Sequence, residues 1–195
     1  MYKTKEKLIL ASASPRRVDL LKEAGIDFEQ VVADIDEKQL QGESAGELVQ
    51  RLALGKATVV AKNNPKTWVL GADTTVVINN KILEKPKDVE HSKEMIKFLS
   101  GNIHSVLGGV SLVNLDKGIS KVFLYETSVT FRKLSESEIS AYANTKEGLD
   151  KAGSYAAQGI GASLIAGING SYSNVVGLCM GGVVEELVRA GVIEV

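Results

Sequence analysis

Short apolar segments typical of strands alternate along this chain with segments that begin like helices, and this alternation constrains the fold most. Leu8 to Ala11 is a continuous apolar run of strand length. Ser14 and Pro15 then supply an N-cap and a residue suited to the first helical position, and Gly25 marks the helix end. Because strands and amphipathic helices bury their apolar faces against each other, the alternation predicts a mixed α/β fold.

The rest of the chain continues the pattern without a repeat, linker or low-complexity tract. Two capping boxes, Ser44 with Glu47 and Ser135 with Glu138, predict two further helix starts. The apolar face of the first of these helices is predicted to contain Leu48, Leu52, Gly55 and Val59. Further helices are predicted between Asp88 and Gly101 and at Val183 to Ala190. A hairpin is predicted from Thr74 to Ile78 and Ile82 to Leu83, with its turn at Asn79-Asn80. The remaining predicted strands are Phe28 to Ala33, Trp68 to Ala72 with Asp73 at its end, Ile103 to Leu115, Ile119 to Phe131, and Leu164 to Ile168.

The composition excludes several classes of protein. The net charge of −1 gives no global field for nucleic acid or membrane, so any anionic ligand requires a local basic cluster. The chain has 1 cysteine, Cys179, which excludes an internal disulfide. No apolar stretch approaches the ~18 residues of a membrane span, and the apolar run after the polar start is too short for a secretory signal. We expect a single cytoplasmic domain over residues 1–195, with no membrane and no nucleic-acid partner.

Two hydroxyls and two guanidiniums lie around the first predicted helix start. Free N–H groups and the positive end of the helix dipole favour an anion there, and arginine matches phosphate through its planar fork. Ser12, Ser14, Arg16 and Arg17 are therefore candidate phosphate ligands. The segment lacks the spacing of a P-loop, and by itself it is equally compatible with a capped helix carrying two solvated arginines.

Carboxylate, ammonium and amide groups elsewhere could complete a metal–phosphate site. Asp73 follows an apolar strand, where a carboxylate can hold Mg²⁺ or accept a proton from water. Lys56 lies on or near the apolar stripe of its helix, and Lys85 follows the hairpin. Gln158, in a glycine-rich stretch, offers a donor and an acceptor to a base edge. Each also has an ordinary structural interpretation, as a turn aspartate, a snorkelling or solvated lysine, or a loop glutamine.

Taken together, these groups have the composition of a site that hydrolyses a phosphoanhydride. Such a reaction needs a metal to neutralise charge, cations on the phosphates and a carboxylate to position water. His91 and His104 lack the spacing of metal ligands, and Cys179 stands in an apolar context. Neither a zinc site nor a cysteine nucleophile is therefore expected.

Motifs that carry a family resemblance occur in order over nearly the whole chain. They are Leu10 to Arg17, Arg51-Leu-Ala with Lys56-Ala57, Gly71-Ala-Asp-Thr74, Leu83-Glu-Lys-Pro86, Leu99-Ser-Gly101 with His104, Leu149-Asp-Lys-Ala-Gly153, Tyr155 with Gln158-Gly159, and Ile168 to Leu178. On these motifs the sequence resembles the Maf family of nucleotide pyrophosphatases, and its dTTP/UTP branch in particular. Gly148 and Cys179 stand where the family usually has proline, and we expect Gly148 to loosen its loop.

The resemblance implies both a fold and an activity. The implied fold is an elongated mixed sheet flanked by helices, with two lobes around a central cleft, of the Maf/ITPase type and in a homodimer. The implied reaction is hydrolysis of a nucleoside triphosphate between its α and β phosphates with Mg²⁺ or Mn²⁺. The implied substrates are dTTP and UTP, with modified pyrimidine nucleotides as further candidates.

The resemblance also assigns roles to the candidate residues. Asp73 would be the catalytic proton acceptor and, with Glu37, a ligand of the divalent metal. The substrate-binding residues implied by the family pattern are Ser12, Ser14, Arg16, Arg17, Lys56, Thr74, Lys85 and Gln158. Three of them, Arg16, Thr74 and Gln158, match positions that the family links to substrate choice.

Two other functions compete with this hypothesis. A non-catalytic nucleotide sensor that regulates cell division would keep the basic groups but would not need Asp73 and Glu37, so their presence favours catalysis. A nucleic-acid-binding protein is disfavoured by the net charge of −1 and the aromatic content of 5%.

Overall fold

The computed structural model describes residues 1–195 as a mixed α/β protein. The strands are β1 (Lys3–Thr4), β2 (Leu8–Ala11), β3 (Glu29–Gln30), β4 (Trp68–Ile78), β5 (Lys81–Leu83), β6 (Ile103–Asn114), β7 (Ile119–Phe131), β8 (Ile165–Asn169) and β9 (Ile193–Glu194). The α-helices are α1 (Pro15–Glu23), α2 (Ala45–Asn63), α3 (Val89–Leu99), α4 (Glu136–Asn144), α5 (Tyr172–Val176) and α6 (Met180–Arg189). Two 3₁₀ helices, Ala152–Ser154 and Gly159–Leu164, precede β8. None of the helices combines the length and the apolar character needed to cross a membrane.

Seven strands form one mixed sheet in the order β3-β2-β4-β6-β7-β8, with β5 paired to β4. Strand β2 is parallel to both β3 and β4, and its last residue, Ala11, pairs with Gly71 of β4. The pairs β4–β5 and β7–β8 are antiparallel. Strands β1 and β9 form a separate two-stranded sheet. The expected fold class, a mixed sheet flanked by helices, is confirmed.

The chain divides into two compact units, and β4, β6 and β7 contribute residues to both. The first unit comprises residues 1–73, 108–125 and 177–195. One of its apolar clusters includes Leu21, Trp68 and Leu187, and another includes Ile9 and Val60. These clusters bury α1, α2 and α6 through their apolar faces, as the hydrophobic effect requires.

The second unit comprises residues 74–107 and 126–176 and has its own core. There His104 is buried, with Nε2 2.8 Å from the Tyr155 hydroxyl and its ring edge-on to Phe131. Burial lowers the pKa of His104 to about 4, so the imidazole is neutral at neutral pH. It therefore contributes to this core as an uncharged ring.

Several local predictions are confirmed. The Ser44 hydroxyl accepts from the Glu47 amide, and the Glu47 carboxylate accepts from the Ser44 amide, so the capping box starts α2 as expected. Asn79 and Asn80 have positive φ angles of 50° and 60°, as a tight hairpin between twisted strands requires. Pro15 begins α1, and Gly25, at φ 72°, follows its end.

Other local predictions are wrong, because tertiary packing overrides the sequence pattern. The strand predicted at Phe28 to Ala33 is reduced to Glu29–Gln30. On α2 the buried face includes Val49, Ala53 and Val60, whereas Val59 is exposed. The strand predicted to end at Asp73 continues without a break to Ile78.

The glycine-rich loop before the first 3₁₀ helix is tighter than expected. A Cβ on Gly148 would lie 1.9 Å from the Ser154 carbonyl oxygen, so only glycine fits against this backbone. The Gly148 carbonyl accepts from the Lys151 amide, and the Lys151 carbonyl accepts from the Ser154 amide. Gly148 therefore closes this loop, contrary to the expectation that it loosens it.

Candidate active site

The close approach of α2 to β4 brings a lysine to an aspartate. A Cβ on Gly71 would lie 2.1 Å from the Ala53 carbonyl oxygen and 3.0 Å from the Ala57 side chain. Because Gly71 has no side chain, the backbone of α2 packs directly on the strand. Lys56 lies one helical turn after Ala53 and is 8% exposed. It therefore reaches the strand at the level of Asp73.

The Lys56 ammonium joins two carboxylates. Its Nζ is 2.8 Å from Oδ1 of Asp73 and 2.6 Å from Oε1 of Glu37. The side chains of Lys56 and Asp73 are 10% and 15% exposed, so water screens this pair little, whereas that of Glu37 is 56% exposed. A hydrogen bond to a charged group contributes about 1.5–3 kcal/mol. The three groups form a small cluster with one more negative charge than positive.

The position of Asp73 follows from the register of the parallel strands. Strand β2 ends at Ala11, which pairs with Gly71, so Asp73 lies two residues beyond the last pairing with β2. The side chain thus emerges at the carboxyl end of β2 although β4 itself continues. Ligands generally lie beyond the carboxyl ends of parallel strands. The sequence pattern predicts that the strand of Asp73 ends here, but in the structure the strand that ends at this place is β2.

The guanidinium of Arg17 is buried and bonded to the protein. Its Nη1 donates to the Ala72 carbonyl and to the Ser12 hydroxyl, and its Nε donates to the Gly177 carbonyl, each at 2.9 Å. Burial lowers the pKa of Arg17 and the Asp73 carboxylate opposes this, but a guanidinium stays charged in proteins. Arg17, predicted to bind phosphate, thus fixes the residue before Asp73 and the turn after β2.

The turn after β2 holds the other predicted residues of this segment. The Ser12 hydroxyl accepts from the Ser14 amide at 3.2 Å, and the Ser12 carbonyl accepts from Gln30 at 2.8 Å. Ser14 occupies the N-cap position of α1, but its side chain makes no capping hydrogen bond. Arg16 is half-buried in the first turn of α1. Ser12, Arg17, Glu37, Lys56 and Asp73 are therefore held in the first unit by hydrogen bonds and ion pairs.

The remaining predicted substrate residues belong to the second unit. Thr74 is half-buried in β4, and Lys85 and Gln158 are exposed. The Gly153 amide donates to the Glu84 carbonyl at 3.2 Å, which ties the glycine-rich loop to the residue preceding Lys85. Within the second unit, this bond fixes the residue before Lys85, and Lys85 itself is exposed.

The carboxylate pair fits a hard divalent cation. Glu37 and Asp73 each place an oxygen within 2.8 Å of one ammonium, so both carboxylates converge on one point. Carboxylate oxygens are the donors that Mg²⁺ and Mn²⁺ prefer. No group of three or more histidine, cysteine, aspartate or glutamate side chains is arranged to hold a metal ion. These two residues would therefore hold such an ion together with water and phosphate oxygens.

Sequence reasoning missed two features of this site. Gly71 and Arg51 stand out in the sequence only as members of family motifs, but the missing side chain of Gly71 is what lets the backbone of α2 approach β4. Arg51 donates to both carboxylate oxygens of Glu43 and to the Lys38 carbonyl, in the loop that carries Glu37. An arginine on the half-buried side of α2, downstream of a run of acidic residues, is the signal that could have drawn attention to this pair.

Comparison with solved structures identifies the fold class of this protein. The structure of the Staphylococcus aureus Ham1 protein matches with a TM-score of 0.51, covering 82% of this chain and 80% of that chain at 16% identity. At that identity the similarity concerns the fold alone, and it places this chain in the same mixed α/β class.

Sequence similarity then identifies the family. The family model described as Maf-like protein matches residues 7–190. The dTTP/UTP pyrophosphatase of Myxococcus xanthus (strain DK1622) is 50% identical over 184 residues, or 94% of this chain and 92% of that protein. The dTTP/UTP pyrophosphatase of Syntrophus aciditrophicus (strain SB) is 46% identical over 186 residues, or 95% and 91% of the two chains. The chain belongs to the Maf family, which confirms the resemblance in its motifs.

Proposed function

We propose that this protein hydrolyses dTTP and UTP to the nucleoside monophosphate and pyrophosphate, with Mg²⁺ or Mn²⁺ bound. The observation that carries the proposal is the cluster in which Lys56 joins the carboxylates of Asp73 and Glu37. It occurs in a Maf-family chain whose relatives at 46–50% identity are named dTTP/UTP pyrophosphatases. Modified pyrimidine nucleotides are further candidate substrates.

In the proposed reaction Asp73 acts on the attacking water. The water oxygen forms a bond to the α-phosphorus, and the bond from the α-phosphorus to the oxygen that bridges it to the β-phosphorus breaks. Pyrophosphate leaves with the electron pair of that bond, and the water proton passes to the Asp73 carboxylate. A base held by the backbone of a strand is already in position to accept this proton.

The surrounding residues hold charge in place. The Lys56 ammonium can exchange a carboxylate oxygen for a phosphate oxygen, because a primary ammonium has three donors on a flexible stem. Arg17 keeps the Ala72 carbonyl, and with it Asp73, in position. When bound, Mg²⁺ or Mn²⁺ supplies further charge neutralisation on the phosphate oxygens. The roles of Ser12, Ser14, Arg16, Arg17, Thr74, Lys85 and Gln158 in binding substrate rest on the family pattern.

A pyrophosphate-release screen tests the proposal. Purified protein is incubated with each canonical ribo- and deoxyribonucleoside triphosphate and with modified pyrimidine triphosphates, in Mg²⁺, Mn²⁺ or EDTA. We expect release from dTTP and UTP, with little from purine nucleotides and none in EDTA. Nucleotide binding without release would favour the sensor of cell division instead, and preference for GTP or ATP would contradict the substrate assignment.

The same cluster leads to a prediction about the metal. Because the protein offers two convergent carboxylates already paired with Lys56, we expect weak Mn²⁺ binding without nucleotide and much stronger binding with a non-hydrolysable α,β-methylene analogue. Electron paramagnetic resonance of free Mn²⁺ measures both. Tight stoichiometric binding to the protein alone would contradict this. Action in the cytoplasm and a homodimeric state stay predictions.

A further inference from the structure

The carboxylate of Glu37 comes from a loop with no helix or strand. This loop, residues 31–44, connects β3 to α2, and its residues 36–41 are exposed. Glu37 itself is 56% exposed at its side chain, so burial does not fix its position. Its contact with Lys56 therefore requires something else to hold the loop.

The loop is folded around one glutamate. The Glu43 carboxylate accepts from the Leu40 amide at 3.0 Å, and the Glu43 carbonyl accepts from the Gln39 side chain at 2.7 Å. The Glu43 amide donates back to the Leu40 carbonyl at 3.1 Å. These bonds gather the segment that follows Glu37 into a compact turn.

Arg51 attaches this turn to α2 at two places. Its Nε and Nη2 donate to the two oxygens of Glu43 at 2.5 and 2.9 Å, and Nη2 also donates to the Lys38 carbonyl at 2.9 Å. The Glu43 side chain is 8% exposed, and the Arg51 guanidinium lowers the pKa of its carboxyl to about 2. The pair stays ionised at any pH at which the enzyme would work.

The second attachment is next to Glu37. Lys38 follows Glu37 directly, so Arg51 fixes the backbone on one side of the glutamate. Helix α2 also carries Lys56, which contacts the Glu37 carboxylate, and it is anchored by buried Leu52 and Ala53 between the two residues. One rigid helix thus holds both the loop and the ammonium that the loop must reach.

We propose that the Arg51–Glu43 ion pair is a clasp that holds Glu37 at the Lys56–Asp73 pair, which makes Arg51 a positioning residue for the reaction. The inference rests on the proposed function, because Glu37 matters to catalysis only if this cluster acts on a nucleotide. Arg51 makes no hydrogen bond or ion pair with Lys56 or Asp73. Its charge attracts that of Asp73, an attraction that Arg51→Lys keeps, so the effect of this variant reports on the position of Glu37.

The variants follow from the geometry of the clasp. Arg51→Lys keeps the charge but loses the planar fork, and Glu43→Gln keeps the shape but loses the charge. The matched control is Arg132→Lys, which alters an arginine–glutamate pair with Glu138 at 2.9 Å in the second unit. Melting curves and circular dichroism identify any variant that fails to fold.

The first measurement is the Mn²⁺ dependence of pyrophosphate release. Loss of a residue that orients a metal ligand lowers metal affinity or activity by about 10–100-fold. We therefore expect the half-saturating Mn²⁺ concentration to rise by about 10–100-fold in Arg51→Lys and Glu43→Gln. It should not change in Arg132→Lys. Adding Arg51→Lys to Glu37→Gln should change little further, because Arg51 acts through Glu37. Independent, multiplying effects in the double variant would overturn the proposal.

The second measurement needs no metal, nucleotide or activity. A denaturant double-mutant cycle with Glu37→Gln and Lys56→Met gives the coupling between these two side chains, in the wild type and in Arg51→Lys. The clasp predicts that the coupling falls severalfold in Arg51→Lys, and an unchanged coupling overturns it. If the wild type releases no pyrophosphate, the proposed function fails, and this cycle still decides whether Arg51 positions Glu37.

Discussion

Replacing Asp73 by asparagine separates catalysis from folding at this site. The variant removes one negative charge but keeps the side-chain shape and an oxygen that can accept from the Lys56 ammonium, which lies 2.8 Å from Oδ1. Lys56 also keeps its contact with Glu37 at 2.6 Å. The buried ammonium is therefore not left without a partner.

The expected loss of stability is small. A hydrogen bond to a charged group is worth about 1.5–3 kcal/mol and a neutral one about 0.5–1.5 kcal/mol, so exchanging one for the other costs about 1 kcal/mol. In a protein of 150–250 residues, 1 kcal/mol corresponds to a shift in Tm of about 2–4 °C. Asp73→Asn should thus remain folded at assay temperature.

The expected loss of turnover is much larger. Removal of a general base lowers the rate by about 10²–10⁴-fold, which corresponds to about 2.7–5.4 kcal/mol of transition-state free energy at 1.36 kcal/mol per factor of ten. The loss should appear in kcat, because the asparagine adds no repulsion to a bound triphosphate. Binding of the nucleotide should be retained or tightened.

The assay compares pyrophosphate release, calorimetric nucleotide binding and a melting curve for Asp73→Asn and a control. Asp88→Asn serves as the control, because its carboxylate caps α3 through the His91 amide and asparagine caps as well as aspartate. If Asp73→Asn melts normally and turns over within a fewfold of the wild type, Asp73 is not the base and the mechanism is refuted.

Three further substitutions test other parts of the structure. Gln158→Ala should reduce discrimination between UTP and purine triphosphates in kcat/KM, because a base edge loses its polar partner; unchanged discrimination would remove Gln158 from the base site. Lys85→Ala should lower kcat/KM by roughly 10–100-fold, because a hydrogen bond to a charged group is worth about 1.5–3 kcal/mol. The control Lys87→Ala, at an exposed lysine, should leave kcat/KM unchanged. Equal kinetics for the two variants would show that Lys85 does not bind substrate. Gly71→Ala places a Cβ 2.1 Å from the Ala53 carbonyl oxygen and should lower the free energy of unfolding by about 1–3 kcal/mol, which corresponds to a Tm decrease of about 2–12 °C. The control Gly181→Ala, in open space on α6, should not lower Tm. Equal melting temperatures of the two variants would contradict the packing of α2 on β4.

The sequence by itself determined the local features of this protein. The capping box of Ser44 and Glu47 and the Asn79-Asn80 turn were predicted where the structure has them. They depend on hydrogen bonds and backbone angles within a few residues, and the residue types suited to them are few. For Lys56 the sequence left two positions open, inward or snorkelling, and the structure has the side chain buried beside Asp73.

Only the tertiary structure decided which groups meet. Lys56 and Asp73 are 17 residues apart in the chain, and Arg17 bonds to carbonyls 55 and 160 residues away. The sequence identified these side chains as candidates, but it placed Asp73 at the end of a strand and gave no sign of the backbone partners of Arg17. The position of Asp73 depends on where the neighbouring β2 ends, and the partners of Arg17 on how three distant segments pack. Such long-range contacts follow from the joint packing of sheet and helices, which local residue preferences do not specify.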